Sequence, residues 1–475
     1  MYLESLNNLV RKIALESARI GFSLKLGMTF FLFLQTGLLF AGESQKTYGD
    51  DPVGKRELLL SQLSELESLG HKNDLAIIES LIDLSDSSVA LQLFGEASEF
   101  LNRALQIERQ SSGLFSPKQV PIIFKKMEVD SISGDWDSVN ASLENLYWLV
   151  MNKNVSRGDE LIDHLVRLTQ FHLMGVMDDS EDLRAHHYQQ ASKISYQSLE
   201  IGRRLWKPQD RRLLQLYYGL IKQLYMQSAA VEQGDDTAYA LRAIVPGSTW
   251  VRPRRVVRSG FYRAGLKLYG DMKEVILQGE EDPLETLAML NLYIADWHLL
   301  FDKRVTEETY LEAISMFQSS SADQANLDAL LNRPRLLPIP NFFESICNAL
   351  EEDQRLNKIR NAQLPLVTDH KIFFQNWSDQ MLSNPLIVDP DLKVSKEQSN
   401  IEQYQFGFRL NSLDTVAHWV KGRYRSNLSV ANELQILAGP EDANIEFIDD
   451  QLRLLHYRPR FEDGTAILSE GILVY

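Results

Sequence analysis

Phe94–Ile107 reads FGEASEFLNRALQI, and its apolar residues recur every three or four positions, which lines them along one stripe of a helix. Ala97 and Ala104 stand seven apart on that stripe, with the larger Leu101 between them. Small side chains spaced in this way let a second helix approach closely. The stretch therefore predicts a helix that packs against other helices, and Asp74–Leu84 carries the same period, so the stripes come in pairs.

Self-comparison extends the pattern along the chain. A shift of 42 residues lays Phe94, Ala97, Leu101 and Ala104 over Trp136, Val139, Leu143 and Leu146. A shift of 94 lays Ala97, Ala104, Leu105, Ile107 and Arg109 over Ala191, Ser198, Leu199, Ile201 and Arg203, and Ala313 with Phe317 takes the places of Ala97 and Leu101 in a further copy within Leu290–Phe317. A helix pair cannot bury its apolar face alone, so repeated pairs must stack to make a core. The packing positions this predicts are Ala97, Ala104, Ala191, Ser198 and Ala313.

These residues resemble the tetratricopeptide repeat family in its longer-period form. Arg103–Gln119 (RALQIERQSSGLFSPKQ), with the later Gly134, Asp135 and Trp136, is similar to that family's second helix, extended loop and next first helix, and Ser198–Asp210 (SLEIGRRLWKPQD) repeats the theme. The resemblance implies a helical-hairpin solenoid over residues 57–331, a scaffold with no activity of its own.

Composition sets the bounds. At roughly 100 to 200 residues per domain, 475 residues predict two to four units. Lys plus Arg number 49 against 65 Asp plus Glu, and the net charge of −16 repels phosphate backbones, so nucleic acid is not expected as a partner. The single cysteine, Cys347, excludes a disulfide framework and a Cys-rich zinc site.

Residues 1–42 read as a targeting segment. Leu26–Ala41 is uncharged and mostly apolar, follows Arg11, Lys12, Arg19 and Lys25, and ends at the small residues Ala41 and Gly42. The run is shorter than the roughly 20 apolar residues of a spanning helix. Cleavage after export is the first reading, an uncleaved signal anchor the second and a buried helix the third. A membrane contact is expected only if the segment is retained.

Punctuation divides the rest. Val245–Arg255 (VPGSTWVRPRR) interrupts the helical pattern with two prolines and a glycine, and its arginines, with Arg258, are expected to pair with nearby acidic helices. Asn332–Pro340 (NRPRLLPIP) forbids helix and predicts an extended linker, so residues 332–403 are expected to join two modules through linker and helical segments, with a further break at Pro385–Pro390. From Tyr404 the period changes to two: Tyr404, Phe406, Phe408 and Leu410 alternate with polar residues. Val430–Leu437 predicts another strand, Ile448, Leu452 and Leu455 a helix, and Ile472–Tyr475 a final strand, which makes residues 404–475 a small α+β module.

That module resembles the C-terminal domain of the TonB energy-transducer family, on Tyr457, Arg458, Pro459, Arg460, Phe461, Asp463 and Gly464 (YRPRFEDG) and on Glu470, Gly471, Ile472 and Tyr475 after them. The resemblance implies a bacterial envelope protein with a helix, an aromatic–Arg–Pro exit, a turn at Gly464 and a closing strand whose edge can take a partner strand. The fold class expected is mainly α, a tetratricopeptide-like solenoid followed by a small TonB-like α+β domain.

No residue pattern announces chemistry. Cys347 lies at helical spacing among apolar residues and reads as core; His186 and His187 are adjacent and point to different faces of a helix, unlike metal ligands three or four apart; His298 beside Trp297 reads as a packed histidine. The acidic runs at Asp178–Asp182, Glu280–Asp282 and Glu351–Asp353 read as solvated helix ends. No catalytic, metal or cofactor site is expected. The function expected is a non-enzymatic, exported, periplasmic scaffold for a protein or peptide partner; the alternative is an inner-membrane-anchored energy transducer or coupling protein of the TonB type.

Overall fold

A computed structural model describes residues 52–68, 76–152, 155–233, 254–279, 282–332, 334–361, 371–373, 405–410, 418–420, 423–425, 432–438, 456–462, 464–467 and 469–474. The targeting segment, residues 245–253, the Pro385–Pro390 break, Asp463 and the helix expected over residues 445–455 lie outside these. The described residues form two compact units, one up to Ile201 and one from Gly202 onward.

Unit 1 is built from α1 (Pro52–Ser68), α2 (Ala76–Ala90), α3 (Phe94–Ser112), α4 (Gln119–Ser133), α5 (Trp136–Val150), α6 (Gly158–Asp178) and most of α7 (Glu181–Leu205). Successive helices from α1 through α6 pack on one another. Charged pairs also join alternate helices, three of them at nearly the same interval. Arg56 on α1 pairs with Glu96 on α3, 40 residues on; Lys125 on α4 pairs with Asp86 on α2, 39 residues back; Arg167 on α6 pairs with Glu128 on α4, again 39 apart. A constant interval between alternate helices is what a stack of helical hairpins produces. In the odd-numbered row α1 meets α3 and α5 meets α7, and in the even-numbered row α2 meets α4 and α4 meets α6.

Local chemistry sets where the helices turn. Gly134, at φ +78, closes α4 by donating to Asp130 and Ser131 carbonyls, a conformation that costs a glycine nothing. Asp135 then caps α5, its side chain accepting from Ser138 N at 3.1 Å. Two residues thus reverse the chain, and Trp136 begins α5 as Phe94 begins α3, in the register the 42-residue shift predicts. All eight residues aligned by that shift are buried.

Unit 2 contains α8 (Arg212–Gln233), α9 (Arg254–Gly279), α10 (Leu284–Leu300), α11 (Thr306–Ser319), α12 (Gln324–Leu331) and α13 (Ile346–Asn361). Helices α8 to α11 again pack in sequence, and α12 packs on α13. α10 is largely buried, with Ala288, Leu292, Ala295 and Trp297 each at most 1% exposed. The strands are β1 (Arg335–Leu337), β2 (Lys371–Phe373), β3 (Gln405–Leu410), β4 (His418–Val420), β5 (Arg423–Arg425), β6 (Asn432–Ala438), β7 (His456–Arg458), β8 (Arg460–Glu462), β9 (Thr465–Ile467) and β10 (Ser469–Val474).

The order β2-β10-β3-β6 makes a four-stranded sheet, parallel between β10 and β2 and antiparallel elsewhere. β3, β6 and β10 overlap the strands expected at Tyr404–Leu410, Val430–Leu437 and Ile472–Tyr475. β4 pairs with β5, and β8 with β9, where Glu462 faces Thr465 and Gly464 sits at φ +77, the turn glycine the sequence calls for. β1 pairs antiparallel with β7, so Leu336 faces Tyr457 although 121 residues separate them. The architecture is mainly helical with successive helices packed on one another, followed by a small sheet.

Candidate functional site

The packing residues read from the repeat lie inside: Ala97, Ala104 and Ala313 are fully buried, and Ala191 and Ser198 are 1% exposed. The outer surface of unit 1 is uneven. Among the described residues, the large apolar side chains that its helices expose are Val53 and Leu58 on α1, Trp148 on α5, and Leu183 and Tyr196 on α7. All five belong to the odd row. Trp148 is 68% exposed and stacks edge-on to Tyr147 at 6.0 Å between ring centroids. Tyr147 bridges to α7, its hydroxyl donating to Gln197 Oε1 at 3.0 Å beneath the Lys193 ammonium, 5.2 Å from the ring.

Unit 2 holds an extended segment of its own chain. Within the expected linker Arg335–Leu337 is a strand, and Leu336, Leu337 and Ile339 are buried. Residues 339–342 form no strand ladder, yet each carbonyl there has a side-chain donor. Tyr218 Oη donates to Ile339 O at 2.6 Å, Lys222 Nζ to Pro340 O at 2.6 Å, Tyr293 Oη to Asn341 O at 2.6 Å and Gln215 Nε2 to Phe342 O at 2.7 Å. Gln215, Tyr218 and Lys222 lie along one face of α8, so a helix surface supplies what a neighbouring strand would otherwise supply. Glu285 on α10 then accepts from Ile346 N at 2.9 Å, an acidic group at the start of α13.

The YRPRF motif enters the same core. Arg458 is 3% exposed and forks onto Asp296 of α10, Nε to Oδ1 at 2.9 Å and Nη2 to Oδ2 at 2.5 Å. Tyr310 Oη donates to Asp296 Oδ1 at 2.7 Å, and the Arg458 guanidinium lies 5.9 Å from the Tyr293 ring. Burial pushes the guanidinium down, but the Asp296 carboxylate outweighs it and holds Arg458 above its ordinary range. Tyr457 is fully buried, Pro459 is buried, and Phe461 packs on Tyr310 at 5.0 Å between centroids. Arg460 is half-buried.

Beside the ion pair is a small cavity lined by Tyr218, Lys222, Tyr269, Tyr293 and Asp296, with room for about one water molecule. Burial pushes the Lys222 ammonium down to about 7 and Tyr218 and Tyr269 well above the usual phenol range. A cavity of that size accommodates no organic substrate.

Two sequence readings are corrected. Cys347 is exposed, because α13 turns Ile346 and Ala349 inward and the residue beside Ile346 points away from them. Asp179 is not a solvated helix end: it accepts from Asn140 Nδ2 at 2.9 Å, His187 Nε2 at 2.8 Å and Ser180 N at 2.6 Å. His187 indeed points away from the exposed His186, but it is buried against His172 of α6. His298 is buried with Nδ1 2.9 Å from Tyr262 Oη, and Arg258 pairs with Asp302 at 3.3 Å. Among the described residues no three His, Cys, Asp or Glu side chains stand ready to hold a metal, and no helix is long and apolar enough to cross a membrane.

A scan against protein-family models finds no match to this chain, and neither does a search of the curated proteins.

Proposed function

We propose that the chain is a non-enzymatic interaction scaffold of the bacterial cell envelope, with a tetratricopeptide-like array that takes a protein or peptide partner on the odd-row face of unit 1. One observation carries this reading. The large apolar side chains exposed on the helices of unit 1 are all on the odd row, and the even row exposes none among the described residues. Exposed aromatic groups on a surface built before binding lose little freedom when a partner covers them. The alternate-helix spacing of 39 to 40 residues supports the repeat reading.

The TonB-like reading of residues 404–475 is held for the fold alone. Burial of Tyr457 and Arg458 within unit 2 supports a structural role for the YRPRF motif, since a desolvated Arg–Asp pair resists removal far more than an exposed one. Export through residues 1–42 belongs to the same proposal.

The test is recovery of partners from an envelope fraction on the wild-type chain, on a Trp148→Ala/Tyr196→Ala variant and on an even-row surface variant such as Lys125→Ala. The proposal requires a partner that is kept by Lys125→Ala and lost by the aromatic variant. Equal recovery on all three chains removes the odd-row face from consideration. A mature chain found in the membrane with residues 1–42 intact would favour the transducer instead.

A further inference from the structure

His172 on α6 and His187 on α7 are buried with their Nδ1 atoms 3.0 Å apart. What lies beyond them sets the role of each nitrogen. Asp179 Oδ2 is 2.8 Å from His187 Nε2, so the carboxylate keeps a proton on that nitrogen. A neutral His187 then has only Nδ1 to accept with, and His172 donates from its own Nδ1. The chain from Asp179 through His187 to His172 is satisfied with neither ring charged.

One added proton is also accommodated. His187 becomes an imidazolium beside Asp179 and donates from Nδ1, while His172 adopts the tautomer that accepts there. A second proton is not. Both Nδ1 atoms would carry hydrogens at a separation of 3.0 Å, away from water, and the pair must part.

The surroundings reinforce this. From α5 the groups that face His187 do not titrate: Trp136, edge-on at 5.9 Å between centroids, and Asn140, which shares Asp179. The turn between α6 and α7 contributes Asp179. α7 itself contributes His186, with ring centroids 6.0 Å from His187 and 6.3 Å from His172, and Arg184, buried one turn earlier. Burial, then the neighbouring His187 and His186, pushes His172 down to about 3. Burial pushes His187 down as well, against the pull of Asp179. Gly175 of α6 leaves the space the His187 ring occupies: a Cβ there would come within 2.6 Å of the ring.

We infer that the Asp179–His187–His172 chain is a proton-sensitive latch that seats α7 against α5 and α6. Opening frees the rings to titrate near their ordinary 6.5, so the open form binds more protons below that pH and is favoured as pH falls. Each proton taken up on opening raises the opening equilibrium about tenfold per pH unit, and two raise it about a hundredfold. α5 and α7 are also the helices that carry Trp148 and Tyr196, so opening rearranges the exposed aromatic face.

The test is hydrogen exchange on the full chain, followed by mass spectrometry between pH 7 and pH 5 and corrected for intrinsic exchange rates. The wild type should show α7 opening that increases at least tenfold per pH unit. His172→Gln keeps a donor for His187 Nδ1 but cannot titrate, and should flatten the slope by about tenfold per unit; His187→Phe should do the same. Identical slopes in wild type and His172→Gln overturn the latch, as does pH-independent exchange in α7. Imidazole NMR titration gives a second reading that needs no variant. The sequentially assigned His172 and His187 rings titrating below 6.5 support the latch, and the same two rings titrating at 6.5 overturn it.

Discussion

Lys125 on α4 reaches the Asp86 carboxylate on α2 at 2.7 Å, 39 residues back along the chain, and Arg167 on α6 stands in the same relation to Glu128 on α4. Charged pairs at a shared interval join helices that are second neighbours in sequence. The Lys125–Asp86 pair is modest in strength, because Asp86 is 48% exposed and such pairs contribute roughly 0 to 1 kcal/mol. They report the geometry of the stack, and the apolar residues between the rows stabilise it.

That division predicts opposite behaviour for the two kinds of odd-row residue. Trp148→Ala, at a side chain 68% exposed, should leave urea unfolding within about 0.5 kcal/mol of wild type. Ala97→Leu, at a fully buried position, should destabilise by about 1 to 3 kcal/mol through overpacking. Equal effects at the two sites would contradict the assignment of inside and outside.

The Arg458–Asp296 pair predicts a large, specific loss. Arg458→Ala leaves a carboxylate buried without its cation and should cost about 3 to 5 kcal/mol, read as a shift of the urea midpoint. Tyr310→Phe, which removes one hydrogen bond to the same carboxylate, should cost roughly 1.5 to 3 kcal/mol. Replacing both ions, as Arg458→Met with Asp296→Leu, should recover much of the loss.

Two glycines should respond in opposite directions to alanine. Gly175→Ala drives a Cβ to within 2.6 Å of the His187 ring and should destabilise by about 1 to 3 kcal/mol. Gly270 lies within α9 with nothing inside 4 Å of a Cβ, and Gly270→Ala should stabilise by about 0.5 to 1 kcal/mol. Thermal unfolding of the two variants side by side decides the matter.

Lys222 predicts an alkaline rise in stability. Its folded value of about 7 lies below the 10.5 of the unfolded chain, so between these values the unfolded state binds the extra proton and stability increases with pH. The slope should approach about 1.4 kcal/mol per pH unit and disappear in Lys222→Met. Above about pH 10 the buried tyrosines, pushed up by desolvation, reverse the trend, because the unfolded chain then loses protons first. Urea titrations at pH 7, 8 and 9 test the rise.

Much of the helical part was legible. The 3.6-residue period placed α2, α3 and α5, and the aligned pair Phe94 and Trp136 marked where two equivalent helices begin. The two-residue period placed β3, and β6 and β10 lie on the other two strands the sequence leads one to expect. The polar contacts were not legible. His172 and His187 are 15 residues apart on opposite arms of a hairpin, and Arg458 lies 162 residues beyond Asp296. Cys347 misled because helical spacing says that one face is buried without saying which residues border it.

From its order of residues alone the chain determines helices with small residues on their contact faces, an extended proline-rich stretch at 332–340 and strands after residue 404, because these follow from local periodicity and backbone chemistry. Only the tertiary structure decided that the carbonyls of 339–342 are held by side chains of α8 and α10, that Arg458 finds Asp296, and that His172 meets His187. Each of these joins polar groups that must find partners once water is excluded, and which partner lies within reach depends on how elements far apart in sequence come to pack.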